Sequence, residues 1–177
     1  ENYNSYDNFS YIFQLFANGL IQNSYDNGNN NFELDLTNNP TIHSLGNLCG
    51  REDNPIIMNV FGDVGVGFAS NAEYLDVAIK GDADIYFGER SKFVKALIRG
   101  NVSSSFGILS KKLTALIVGS SRQNILSGST ESTIFLTGSL FGDYYSSKSN
   151  SLYRNDEVLK FSQYHEMEQE LYRRLKE

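Results

Sequence analysis

Hydrophobic and polar positions in the middle of the chain recur every 19 residues. Glycines stand at Gly62, Gly81, Gly100, Gly119 and Gly138, and three apolar columns keep step with them. The first column is Met58, Val77, Ala96, Ala115 and Ile134; two residues on come Val60, Ile79, Ile98, Ile117 and Leu136. The third, six residues after each glycine, is Phe68, Phe87, Phe106, Ile125 and Tyr144. Alternation at period 2 before each glycine predicts a short strand with one face buried, and the aromatic column predicts a second inward-pointing stretch. A fixed period of this length marks a repeat architecture. It is too short for a strand, a crossover helix and a second strand, because a crossover takes about a dozen or more residues. A mainly β fold remains, a right-handed parallel β-helix with identical positions stacked about 4.8 Å apart. The five glycines are expected at structural corners, where a backbone with φ > 0 suits a residue without Cβ.

The flanks follow other patterns. Residues 7–18 read as an amphipathic helix, with Phe9, Ile12, Phe13, Phe16 and later Leu20 on one stripe, Ser5 or Asp7 as cap and Gly19 as its end. Residues 23–31 read as a polar loop. The helix is expected to cap the open first coil, whose edge would otherwise template strand addition, or to bind a partner. After Gly138 the register dissolves, and Asn155 caps a last helix from about Asp156 to Leu175, acidic at its start and basic at its end. Its apolar stripe is Val158, Phe161, Tyr164, Met167, Leu171 and Leu175. The chain thus divides into an N-terminal helix and polar loop (1–31), the β-helix (32–145) and a linker with a C-terminal amphipathic helix (146–177). In the outward column between the two buried strand positions, Asn59 and Ala78 give way to Leu97, Leu116 and Phe135. Three apolar rungs in a row make a candidate contact face, for the C-terminal helix or for a partner.

Several of these residues resemble a known family. Gly62-Asp63-Val64 and Gly81-Asp82-Ala83 at the start of a coil, second glycines at Gly88 and Gly107, and β-branched residues before the next corner look like the GXGXG repeat. That repeat forms the β-helix in the C-terminal domain of the glutamate synthase large chain, in its stand-alone relatives, and in one of the subunits of formylmethanofuran dehydrogenase. The lead-in is similar too, with an apolar helix, a strand Phe32–Leu36, and the stretch Pro40–Gly50 containing His43-Ser44-Leu45-Gly46-Asn47-Leu48. The likeness spans roughly residues 8 to 145 and is that of a divergent member. Where the family has a Gly-Gly pair late in each coil, this chain has Tyr74-Leu75, Phe93-Val94 and Lys112-Leu113, and the coil from Gly119 has Leu126 for its second glycine. The resemblance implies a structural element that braces catalytic parts against one another, with chemistry left to flavin, iron–sulfur or metal centres on partner subunits.

Charge and composition narrow the rest. A chain of 177 residues suits one domain. A net charge of −6 without a basic run offers no electrostatic footprint for nucleic acid. No stretch is apolar for long enough to span a membrane. Cys49 is the one cysteine, so no internal disulfide is expected, which suits a cytoplasmic or other intracellular setting. The chain opens on Glu1 rather than Met, which reads as a fragment, a processed chain or a renumbered one. Two Asn-X-Ser sequons, at Asn8 and Asn101, are expected by chance in so Asn- and Ser-rich a sequence.

Candidate chemistry is sparse. His43 and His165 stand at no spacing that links them to Cys49 or to a particular serine, so each reads as a surface or packing histidine. The glutamine-hydrolysing cysteine of the resembled enzymes lies at the mature N terminus of another domain, and Cys49 does not match it. Asp63, Asp82 and Asp84 could meet at a corner, where they are expected to bond turn amides rather than a cation. Gly62-Asp-Val-Gly65-Val-Gly67 is followed by no helix, so it is not read as a phosphate loop. No catalytic, cofactor-binding or metal residue is therefore expected. The expected function is a non-catalytic scaffold subunit of a larger complex, glutamate synthase-like or a related oxidoreductase, with protein partners and with a homo-oligomer allowed. The alternatives are a β-helix reused in an unrelated assembly, a self-polymerising β-helix of the bactofilin kind, and a carbohydrate-active enzyme, which would show aromatic or carboxylate ladders on an outer face.

Overall fold

The structure is a computed structural model that describes residues 4–38, 42–142, 144 and 149–154. The expected helix at 156–175, with His165 on it, lies outside the described residues. Among the described residues one helix, α1 (Asn4–Asp26), precedes seven strands: β1 (Asn31–Asp35), β2 (Ile56–Phe61), β3 (Leu75–Lys80), β4 (Lys95–Ile98), β5 (Thr114–Ile117), β6 (Thr133–Leu136) and β7 (Ser151–Arg154). They form a single parallel sheet in chain order. The fold is a β-solenoid with 19-residue coils: Met58 pairs with Val77, Val77 with Ala96, Ala96 with Ala115 and Ala115 with Ile134.

The three apolar columns build the core. Every member of the two strand columns is buried, as are Phe68, Phe87, Phe106 and Ile125. The phenylalanines stack face to face, with ring centroids 5.9 Å apart for Phe68–Phe87 and 4.9 Å for Phe87–Phe106. Stacking of identical positions makes each coil the template for the next, so one well-packed column is repeated rather than invented anew.

The corner glycines are there for a different reason from the expected one. Only Gly62 of the five has φ > 0. At Gly81, Gly119 and Gly138 a Cβ would run into the carbonyl oxygen of the corner glycine one coil below, and at Gly100 into Gly81 and the Asp82 carboxylate. The backbones meet here directly: Gly100 N–H donates to Gly81 O at 3.0 Å and Gly119 N–H to Gly100 O at 3.1 Å. The glycine column is a close-approach seam. Positive φ falls elsewhere in each coil, notably in the columns Ala69, Gly88, Gly107, Leu126 and Tyr74, Phe93, Lys112, Glu131.

Both ends depart from the sequence reading. Gly19 does not end α1, which continues to Asp26 and takes in the start of the expected polar loop. Ile12, Phe16 and Leu20 of the expected buried stripe are exposed, and the helix turns Ala17, Ile21 and Tyr25 inward instead. The open coil end explains this rotation, because it presents backbone groups that need partners. Asn18 donates to Ser44 O and accepts from Gly46 N–H, at 3.3 and 2.9 Å. One turn on, Gln22 donates to Cys49 O and accepts from Cys49 N–H, at 3.0 and 2.9 Å. Two carboxamides thus take the place of a strand at the edge, and unpaired buried backbone groups would cost more than exposed leucines. At the other end β7 lies in the stretch assigned to a linker. Its register against β6 is 18 residues rather than 19, Ile134 pairing with Leu152 and Phe135 with Tyr153.

Candidate interaction surfaces

The outward ladder runs up the sheet face opposite the core. Leu97, Leu116 and Phe135 stand side by side on β4, β5 and β6. With Ala78 they form an apolar cluster separate from the core, and Tyr153 of β7 adds a rung, its ring stacked on Phe135 at 5.1 Å. The sequence reading missed Tyr153 because a strict 19-residue step passes over it. Allowing one deletion would have set Leu152 beneath Ile134 and Tyr153 beside Phe135. Leu97, Leu116 and Phe135 are buried, with 1 % of Leu116 left exposed, and Tyr153 is partly buried.

The outer face of α1 is the contrasting surface. Tyr11, Ile12, Leu15, Phe16 and Leu20 are 52 to 68 % exposed, all on the side turned away from the solenoid. Gly19 lies among them with open space where a Cβ would be. Soluble proteins seldom leave so many large apolar side chains together in water unless something binds them.

A third column runs along the corner. Asp82 N–H donates to Asp63 Oδ1 at 2.8 Å, Asn101 N–H to Asp82 Oδ1 at 2.7 Å, Ser120 N–H to Asn101 Oδ1 at 2.9 Å and Ser139 N–H to Ser120 Oγ at 3.1 Å. Asp84 bonds the Ile85 amide. These are the amide contacts expected of corner aspartates. Among the described residues no three His, Cys, Asp or Glu side chains gather as a metal site would need. An adjacent groove of about 580 Å³ is lined by Asp82, Asn101, Ser103, Ser120, Arg122 and Gln123, among others. Asp82 is the one carboxylate in that lining and is already engaged by backbone, so the groove offers hydrogen bonds rather than an acid–base pair.

A fourth column stands late in each coil. Tyr74, Phe93, Lys112 and Glu131 all take the left-handed backbone, at φ 50° to 55°. Their side chains stack outside the coil. The Tyr74 and Phe93 rings lie parallel at 4.6 Å, the Lys112 ammonium sits 5.0 Å from the Phe93 centroid, and Glu131 pairs with Lys112 at 3.7 Å. Ring stacking and cation–π attraction, each about 1 kcal/mol, offset a backbone cost of similar size. The rings are turned toward one another along the stack, unlike an open aromatic platform for a sugar. In the neighbouring column Glu73 and Lys92 form an ion pair at 2.5 Å, and this hydrogen bond holds the lysine above its ordinary pKa.

His43 is an exposed histidine of the lead-in: its Nδ1 accepts the Val66 amide at 3.2 Å, and its own amide donates to Ser10 Oγ. Cys49 is exposed, and its backbone serves the α1 cap. No protein-family description, curated protein or solved structure matches this chain.

Proposed function

We infer that the protein is a non-catalytic structural subunit that joins a larger assembly through the outer face of α1. The observation that carries this reading is the row Ile12, Leu15, Phe16 and Leu20, exposed on a helix whose other face is fully committed to capping the solenoid. The solenoid supplies rigidity. Columns of stacked side chains and coil-to-coil hydrogen bonds hold α1 at one end of a stiff body, which is what a brace requires. The partner is a polypeptide with an apolar groove or helix of its own, since α1 carries no basic residue in its last turn to draw an acidic surface. The resemblance to the GXGXG repeat supports a redox enzyme as the assembly, and partners bearing flavin or iron–sulfur centres are proposed on that ground. The capped first coil weighs against growth by end-to-end stacking.

Gentle purification of the chain from its native source, with absorbance for flavin and iron, tests the reading beside the variant Phe16→Glu, Leu20→Glu. Stoichiometric polypeptides are expected with the native chain, while the variant keeps the native melting temperature and elutes alone. A variant that retains the same partners, or a native chain that elutes alone, overturns the reading. A stoichiometric partner without flavin or iron keeps the brace and removes the oxidoreductase.

A further inference from the structure

The groove beside the corner column runs along the solenoid axis. Its floor is the stretch after each corner, where Ala83, Val102 and Ser121 pair from coil to coil and are buried. From the level of Asp82 to that of Phe141 there are three coil steps, about 14 Å. Its 580 Å³ falls among ordinary ligand sites, which hold about 300–1,000 Å³. Four of its polar residues are unspent: among the described residues Ser103, Ser104, Arg122 and Gln123 make no side-chain hydrogen bond or ion pair. Phe141 stands at the upper end, one coil above Arg122, with 65 % of its surface exposed.

We propose that this groove binds an extended, neutral oligosaccharide of the β-1,4-linked kind, whose sugar rings follow one another in a straight line, and does not cleave it. The lining selects this class. Hydroxyls and carboxamides both donate and accept, as sugar hydroxyls do, and a guanidinium fork can reach two neighbouring hydroxyls. An exposed phenyl face suits the C–H side of a sugar ring. A straight chain fits because each coil presents its side chains at the same place as the last. A peptide fits less well, since the floor has no backbone left for a strand to pair with: Val102 N–H donates to Ser120 O, Ser103 N–H to Ala83 O and Arg122 N–H to Val102 O, at 2.9, 2.9 and 3.2 Å. Arg122 is the one cation of the lining and Asp82 the one anion, so the groove holds no charge to gather a polyanion such as nucleic acid. Hydrolysis of a glycosidic bond takes a pair of carboxylates, and the lining has Asp82 alone. Because α1 caps the first coil, sugar and assembly partner occupy separate surfaces.

Titration of the nitrogen-labelled full chain with cellotetraose, mannotetraose and N-acetylchitotetraose tests this, with maltotetraose, whose α-linkages curve, as the control. Saturable amide shifts centred on Ser103, Ser104, Arg122, Gln123 and Phe141 are expected with at least one straight tetrasaccharide, which is recovered intact. Phe141→Ala and Arg122→Gln, both at exposed positions, are each expected to weaken that binding about tenfold and to keep the native melting temperature. No saturable shift with any of these sugars at millimolar concentration overturns the proposal, as do shifts that map elsewhere or binding that survives both substitutions. Equal binding of maltotetraose overturns the straight chain. Saturation by inorganic phosphate in place of sugar assigns the groove to an anion held by Arg122, and overturns the proposal as well.

Discussion

Replacing Gly119 by alanine separates the two reasons for which a glycine can be required. Its φ lies outside the left-handed region, so the backbone itself would accept alanine. The added methyl, however, would sit 2.6 Å from the Gly100 carbonyl carbon and 2.8 Å from Asn101 Oδ1. Restoring ordinary contact requires the coils to part by about 1 Å at this corner. That movement breaks the 3.1 Å bond from Gly119 N–H to Gly100 O and the 2.9 Å bond from Ser120 N–H to Asn101 Oδ1. Two hydrogen bonds at about 1 kcal/mol each, with about 1–3 kcal/mol for overpacking, give a loss of about 3–5 kcal/mol. For a chain of this size that is a fall of roughly 10 °C in melting temperature. Gly88→Ala is the control, because Gly88 has φ +64° and its nearest prospective neighbour is Ser91 Oγ at 3.3 Å. Ala69 and Leu126 hold the same column at φ 57° and 56°, so the cost there is about 1 kcal/mol. Urea midpoints and thermal melts of the two variants, measured side by side, decide the matter. A Gly88 variant as damaged as the Gly119 variant would refute the close-approach account and return the corner to a φ requirement.

Two further predictions concern hydroxyls. Ser110 Oγ and Ser129 Oγ each donate to a carbonyl three residues back at 2.7 Å, whereas the buried Ser91 Oγ in the same column has no partner among the described residues. Ser110→Ala is expected to lower stability by about 1 kcal/mol in urea titration, and Ser91→Ala to leave it unchanged or raise it. Tyr144 continues the phenylalanine column, and its buried hydroxyl also lacks a partner among the described residues, so Tyr144→Phe is expected to add about 1 kcal/mol. Burial raises the pKa of that phenol in the fold. Its contribution is therefore intact below the unfolded value of about 10 and is lost as pH rises through the folded value. The advantage of Tyr144→Phe should grow across that alkaline range, and an advantage independent of pH would contradict the burial of the phenol.

The solenoid was legible because its core repeats. Three columns of apolar residues at one period leave little choice of fold, and Met58, Ile79 and Phe87 lie where that period sets them. The outward ladder was legible for the same reason, being a fourth column at the same step. Features that depend on contact between chain segments were not. The need for glycine at Gly119 lies in the carbonyl one coil below, which a φ argument does not see. The orientation of α1 is decided by the unpaired amides of Gly46 and Cys49, so Asn18 and Gln22 outrank Ile12 and Phe16 for the inner face, against the hydrophobic pattern. Tyr153 escaped because one missing residue shifts it out of phase. Tyr74 and Phe93 looked like eroded glycines, yet the stacking that makes a left-handed tyrosine tolerable exists only once the coils are piled.

The corner column from Asp63 through Asp82, Asn101 and Ser120 to Ser139 has a direction: each side chain completes the coil above it and is indifferent to how many coils lie beyond. A coil is thus a separable part with the same socket on either side. Insertion or loss of 19 residues between two corners rejoins an acceptor to an amide and alters nothing else at the seam. Unequal recombination within such a gene would change the length of the rod in fixed steps while sparing its ends. The distance between α1 and the last coil is then a quantity that evolution can adjust without redesigning a core.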